Sequence, residues 1–159
     1  MGRFGVACLL AALALGACGK RAAMPRACIE AQSEDVLQAL GRAPGVVALG
    51  DGTRLSDCVA YAIDDARLQA LGATLTTAAD RLAARMHDGG PDGDADARLA
   101  AERAALQLGF LAGAVTRGAA RTAGFQGDLA DRIAGTATID GGARRAALLR
   151  GREAGRSGG

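Results

Sequence analysis

The chain has 159 residues, 19 basic against 17 acidic, and a net charge of +2 at pH 7. That length holds one domain and is short for two, and the near balance of charge gives no electrostatic reason to expect a nucleic-acid partner. Hydrophobic residues make up 50% of the chain but aromatic residues only 3%, so the core must come from Leu, Ala, Val and Ile. That favours close-packed helices over a sheet, and alanine is also the best helix former.

The first element is a leader. Arg3 is followed by an apolar run from Phe4 through Leu15 and then by Leu15-Gly16-Ala17-Cys18. The run is about a dozen residues, the length of a signal core and well short of the roughly 20 needed to span a bilayer as a helix. Leu15-Gly16-Ala17-Cys18 resembles the lipobox of bacterial lipoproteins: an aliphatic residue, two small residues, then a cysteine whose thiol accepts a diacylglyceryl group. The resemblance covers the leader alone. It implies cleavage before Cys18, lipidation of that residue with palmitate-class acyl chains, and a membrane partner held through the anchor. Two or more acyl chains hold a protein stably where one is marginal. Ordinary signal cleavage after Ala14-Leu15-Gly16, releasing a soluble protein, is the competing reading of the same residues, and a cytosolic protein that opens on a buried Leu/Ala helix is a third.

Residues 1–17 are thus expected to be a lipoprotein signal peptide and 18–26 a tether, in which Lys20, Arg21 and Arg26 would lie beside anionic lipid. Of the four cysteines, Cys8 leaves with the signal and Cys18 carries lipid, so Cys28 and Cys58 remain in an exported chain where thiols oxidise. A bridge between them closes a loop of about 30 residues, a stabilisation of roughly 3 to 4 kcal/mol in the chain-entropy model. A reactive redox pair would sit closer in sequence. Zinc would need both cysteines and the single histidine, His87.

From Ala27 to Arg42 the residues Ile29, Val36, Leu37 and Leu40 share a helical face. Gly41 and Pro44-Gly45 end that helix. Val46–Leu49 and Thr53–Leu55 flank Gly50-Asp51-Gly52, which predicts a small β-hairpin. Ser56 fits an N-cap, and the run Val59, Ile63, Leu68, Leu71, Leu75, Ala79, Leu82, Met86 predicts helix over 57–87, with Asp64-Asp65 the place for a break. After a loop at 88–94, Asp94 or Asp96 caps a helix with the stripe Leu99, Leu106, Phe110 and Ala114. Gly109 and Gly113 lie four apart on one face, which invites another helix to approach closely. A shorter helix near 126–134 offers Leu129 and Ile133.

The expected fold is therefore all-α, a small helical bundle with a short β-hairpin near residues 46–55. The helical domain is expected over 27–134, and 135–159 as a linker, a short helix and a disordered basic tail holding Arg144, Arg145, Arg150, Arg152 and Arg156. That run reads as a solvated end, or as a contact for anionic lipid or envelope polymer.

Chemistry-bearing patterns are few. Asp92-x-Asp94-x-Asp96 matches the start of a calcium loop, but position six is Ala97 where the turn needs Gly, and position twelve is Arg103 where a bidentate Glu belongs. The alternative is a solvated acidic loop with a cap residue. His87 has no serine nucleophile pattern to serve, and its place near a helix C-terminus is favoured by the helix dipole. Asp64-Asp65 and Asp128/Asp131 are carboxylate pairs, but sugar chemistry lacks aromatic platforms here. No pattern calls for a cofactor, a catalytic residue or a metal beyond the partial calcium match. The leading functional expectation is a membrane-tethered, non-catalytic envelope protein that binds a protein or an envelope polymer, outside the cytoplasmic membrane or in the outer membrane. The alternatives are a small apolar-ligand binder and a carboxylate-dependent hydrolase.

Overall fold

A computed structural model describes residues 23–62, 64–88, 94–122, 124, 126–139 and 142–159. The expected signal segment, Cys18 and most of the expected tether lie outside the described residues, as do Asp92, Ile63 and Phe125. The described residues form seven helices and no strand: α1 (Arg26–Glu30), α2 (Ser33–Leu40), α3 (Leu55–Tyr61), α4 (Asp65–Asp88), α5 (Ala95–Ala119), α6 (Gln126–Thr136) and α7 (Gly142–Gly158). The all-α class is as expected. None of these helices is long and apolar enough to cross a membrane.

Local chemistry sets most boundaries. The Asp35 carboxylate reaches back to accept the Gln32 backbone N–H at 2.9 Å, a reciprocal cap that opens α2, and Val36, Ala39 and Leu40 supply its buried face. The predicted 57–87 helix is two helices. The first ends at Tyr61, and the Asp64 carboxylate accepts the Arg67 N–H at 2.8 Å and pairs with the Arg67 side chain at 3.3 Å, so α4 starts from its own cap. Asp94 caps α5 by accepting the Ala97 N–H at 2.8 Å.

The hairpin expected near 46–55 does not form strands. Leu49 N–H donates to the Thr53 carbonyl and Gly52 N–H to the Leu49 carbonyl, closing a tight turn in which Gly52 takes φ +86°. Val47 and Leu49 are buried, while Val46 stands 77% exposed. The segment therefore packs its alternate side chains onto helices and leaves no partner strand to pair with. Ser56 is not a cap but lies inside α3, fully buried, where its hydroxyl donates to the carbonyl of Gly159.

The largest departure is the end of the chain. Instead of a short helix and a disordered tail, α7 continues to Gly158 and Gly159 is buried. It packs against α5, the central helix, which also meets α3, α4 and α6. Gly151 lies against Leu106 and Phe110, Gly155 against Phe110 and Ala114, Gly109 against Leu148 and Arg152, and Gly113 against Arg152 and Arg156. Positions rise together along both helices, so α5 and α7 run parallel. The approach is backbone to backbone. A Cβ on Gly151 would stand 2.0 Å from the Leu106 carbonyl oxygen, and one on Gly155 2.1 Å from that of Phe110. Arg117 then donates to the carbonyls of Arg156 and Ser157, satisfying the open end of α7 with a cation where the helix dipole favours one.

Cys28 of α1 and Cys58 of α3 are bonded, with Cα atoms 5.3 Å apart and both residues buried. A five-residue helix has little packing of its own, and the bond ties α1 to the bundle. Between α2 and α4, Arg81 donates to Glu34, which also accepts from the Ser33 hydroxyl at 2.9 Å. The Arg81 guanidinium and then the Ser33 hydroxyl lower the Glu34 pKa from 4.5 to about 2. A carboxylate depressed in the folded state contributes stability above its unfolded pKa and loses that contribution as pH falls through the folded value. Carboxyl NMR titration should therefore place Glu34 near pH 2 in the parent protein and higher in Arg81→Ala, where the Ser33 hydroxyl still holds it below 4.5, so the variant should lose part of this source of acid sensitivity.

Candidate functional site

A concavity of about 450 Å³ lies between α1, α2 and the turn at 48–51. Three local events assemble it. The disulfide holds α1 against the bundle, the Asp35 cap sets the start of α2, and the Gly52 turn swings Gly50-Asp51 across the opening. The floor is small and apolar, made by Ala27, Ala31, Ala39 and Leu49, and the rim is charged.

On the rim, Arg26 Nε pairs with Glu30 at 2.7 Å. Asp35 accepts from Gln32 as described, and Asp51 accepts the Thr53 N–H at 2.9 Å. The Thr53 hydroxyl, and then its N–H, hold the Asp51 carboxyl below its ordinary value. Gln38 and Arg42 complete the rim, and their side chains have no hydrogen-bonding partner among the described residues. Basic, acidic and amide side chains thus stand around a floor of three alanines and Leu49. Such a surface suits an extended polar chain with both charges and hydrogen-bonding groups, and it offers an apolar molecule little burial.

Acid–base hydrolysis needs one carboxyl kept protonated, which means a raised pKa. Asp51 is shifted the other way, and Glu30 and Asp35 are already engaged by Arg26 and by the start of α2. Asp128 lines a separate groove of about 420 Å³ between α4 and α6, beside Gly72, Thr76, Leu129 and Arg132. Asp64 is spent on the start of α4, and Asp65 and Asp131 are exposed. A third, smaller pocket of about 140 Å³ is lined by Met24, Ile29, Leu71 and Thr74.

Of the residues the sequence singles out, Cys28 and Cys58 are brought together as a bond, and Cys18 lies outside the described residues. Asp94 is a helix cap and Asp96 is exposed in the first turn of α5. No group of three or more His, Cys, Asp or Glu suited to a metal ion occurs among the described residues. His87 is exposed in the last turn of α4. The rim residues Arg26, Gln38, Arg42 and Asp51 escape a sequence reading because three elements contribute them and no local spacing links them.

Comparison with protein-family models, with characterised proteins and with solved structures finds no match for this chain.

Proposed function

We propose that this protein is an exported lipoprotein, anchored through an acylated Cys18, that binds a partner without catalysis in the bacterial cell envelope. The reading rests on Leu15-Gly16-Ala17-Cys18 at the end of a short apolar leader. The buried Cys28–Cys58 bond supports it, since such bonds persist where thiols are oxidised. The partner's contact is the groove between α1 and α2, and its class is an extended polypeptide segment of another envelope protein. The free donors of Gln38 and Arg42 beside the carboxylates of Glu30 and Asp51 match a peptide backbone carrying side chains of both signs. The charged rim weighs against the apolar-ligand reading, and the lowered Asp51 pKa weighs against the hydrolase.

The test is affinity capture of the native protein from its membrane, with and without Arg42→Glu. Arg42 is exposed, so the variant should melt with the parent. Loss of one co-purifying protein in Arg42→Glu is the expected result. An identical set of captured proteins from both would remove the groove from the account.

A further inference from the structure

The basic end of the chain is an ordered helix with two unlike faces. Inward, α7 presents Ala147, Leu148, Gly151 and Gly155, all buried. Outward it exposes Arg145, Leu149, Arg150 and Arg156. Five arginines against Glu153 give α7 a net charge of +4 in a chain whose total is +2.

Arg26, Arg67, Arg81 and Arg121 each pair with a carboxylate, respectively Glu30, Asp64, Glu34 and Asp57. The side chains of Arg145, Arg150 and Arg156 have no hydrogen bond or ion pair among the described residues, although Glu153 lies three positions from two of them. Other exposed arginines, Arg42, Arg54, Arg85, Arg98, Arg103 and Arg132, also lack an ion pair among the described residues, but none of them stands on a helix of comparable net charge. Leu149 is 53% exposed. It is one turn beyond Arg145 and next to Arg150. The packing against α5 fixes this presentation, because the interlocked glycines leave α7 a single rotational setting.

We infer that the outward face of α7 docks on an anionic lipid bilayer. Guanidinium groups bind phosphate through paired N–H donors, and a cluster of unpaired basic side chains on a helix is the sequence-level mark of attraction to an anionic leaflet. Leu149 selects a bilayer over a soluble polyanion. An exposed apolar side chain flanked by Arg145 and Arg150, with Glu153 one turn beyond, enters the headgroup layer, whereas on a polymer it would stay in water. The helix is about 25 Å long at 1.5 Å per residue, enough to lay all three arginines on one surface. α1 and α2 pack on α4, while α7 packs on α5, so the basic face and the α1–α2 groove belong to different elements. The inference holds whether or not Cys18 is acylated.

The test uses the full chain carrying Cys18→Ser, which cannot be acylated, in flotation with vesicles of phosphatidylcholine alone or mixed with phosphatidylglycerol. Insertion of the leader is common to parent and variants and to both vesicle types. The parent should bind the mixed vesicles more tightly, and 0.5 M salt should erase the difference, roughly as screening of surface charge requires. Arg145→Gln/Arg150→Gln/Arg156→Gln should weaken binding to the mixed vesicles by about tenfold or more, and Leu149→Ser by about threefold. All four residues are exposed, so thermal melts should match the parent. The inference is overturned by a triple variant that floats like the parent, or by equal binding to both vesicle types. It is also overturned if soluble polyglutamate competes fully while Leu149→Ser changes nothing, an outcome that would make the face a polymer site.

Discussion

Gly151→Ala and Gly155→Ala should destabilise the protein, although alanine is the better helix former. In an open helix the exchange gains about 1 kcal/mol. Here the new methyl would stand 2.0 to 2.1 Å from a carbonyl oxygen of α5, and both neighbours are backbone, which cannot rotate away. Helices α5 and α7 must separate, at a cost near the upper end of overpacking, about 3 kcal/mol. The net expectation is a loss of about 2 kcal/mol, a fall of roughly 5 to 10 °C in Tm for a domain of this size, and more for Gly151→Val. Gly127→Ala in α6 is the control, because nothing lies within 4 Å of its added methyl; it should raise Tm. Thermal melts of these four variants side by side decide the matter. If Gly151→Ala melted with Gly127→Ala, the parallel α5–α7 interlock would be wrong.

Cys28→Ser/Cys58→Ser should lose about 3 to 4 kcal/mol, the chain-entropy value for a separation of 30 residues. The loss should fall first on α1 and the groove. α1 has five residues and buries only Cys28, so with the bond gone it has little to hold it in place. Urea denaturation gives the global figure, and hydrogen exchange shows where protection goes. Protection lost at 26–30 while α5 and α7 keep theirs is the expected pattern. Uniform loss across the bundle would mean that the bond stabilises the whole domain rather than placing the groove.

The long helices were legible because their stripes are long and regular. Leu71, Leu75, Leu82 and Met86 in α4, and Phe110 with Ala114 in α5, are buried as their spacing predicts. Gly109 and Gly113 announced a close neighbour and have one. That the neighbour is α7 was hidden by composition. Glycine and arginine read as a solvated tail, because a helix with internal glycines is weak on its own. The available signal was periodic: Ala147, Gly151, Gly155 and Gly159 recur every four residues and match the Gly109–Gly113 spacing. The hairpin failed for a similar reason. Val47 and Leu49 alternate like a strand, but helices rather than a second strand took the buried side. Ser56 was beyond local reasoning altogether, since its hydrogen-bond partner lies 103 residues away. The groove shares that difficulty, being built from Arg26, Gln38, Arg42 and Asp51 on separate segments.

The most direct test of the account is the intact mass of the protein extracted from its native membrane. The predicted species begins at Cys18, carries a diacylglyceryl group there, and is two hydrogens lighter than the reduced chain because Cys28 and Cys58 are bonded. An unmodified chain that keeps residues 1–17 and both thiols, recovered from the soluble fraction, would contradict it.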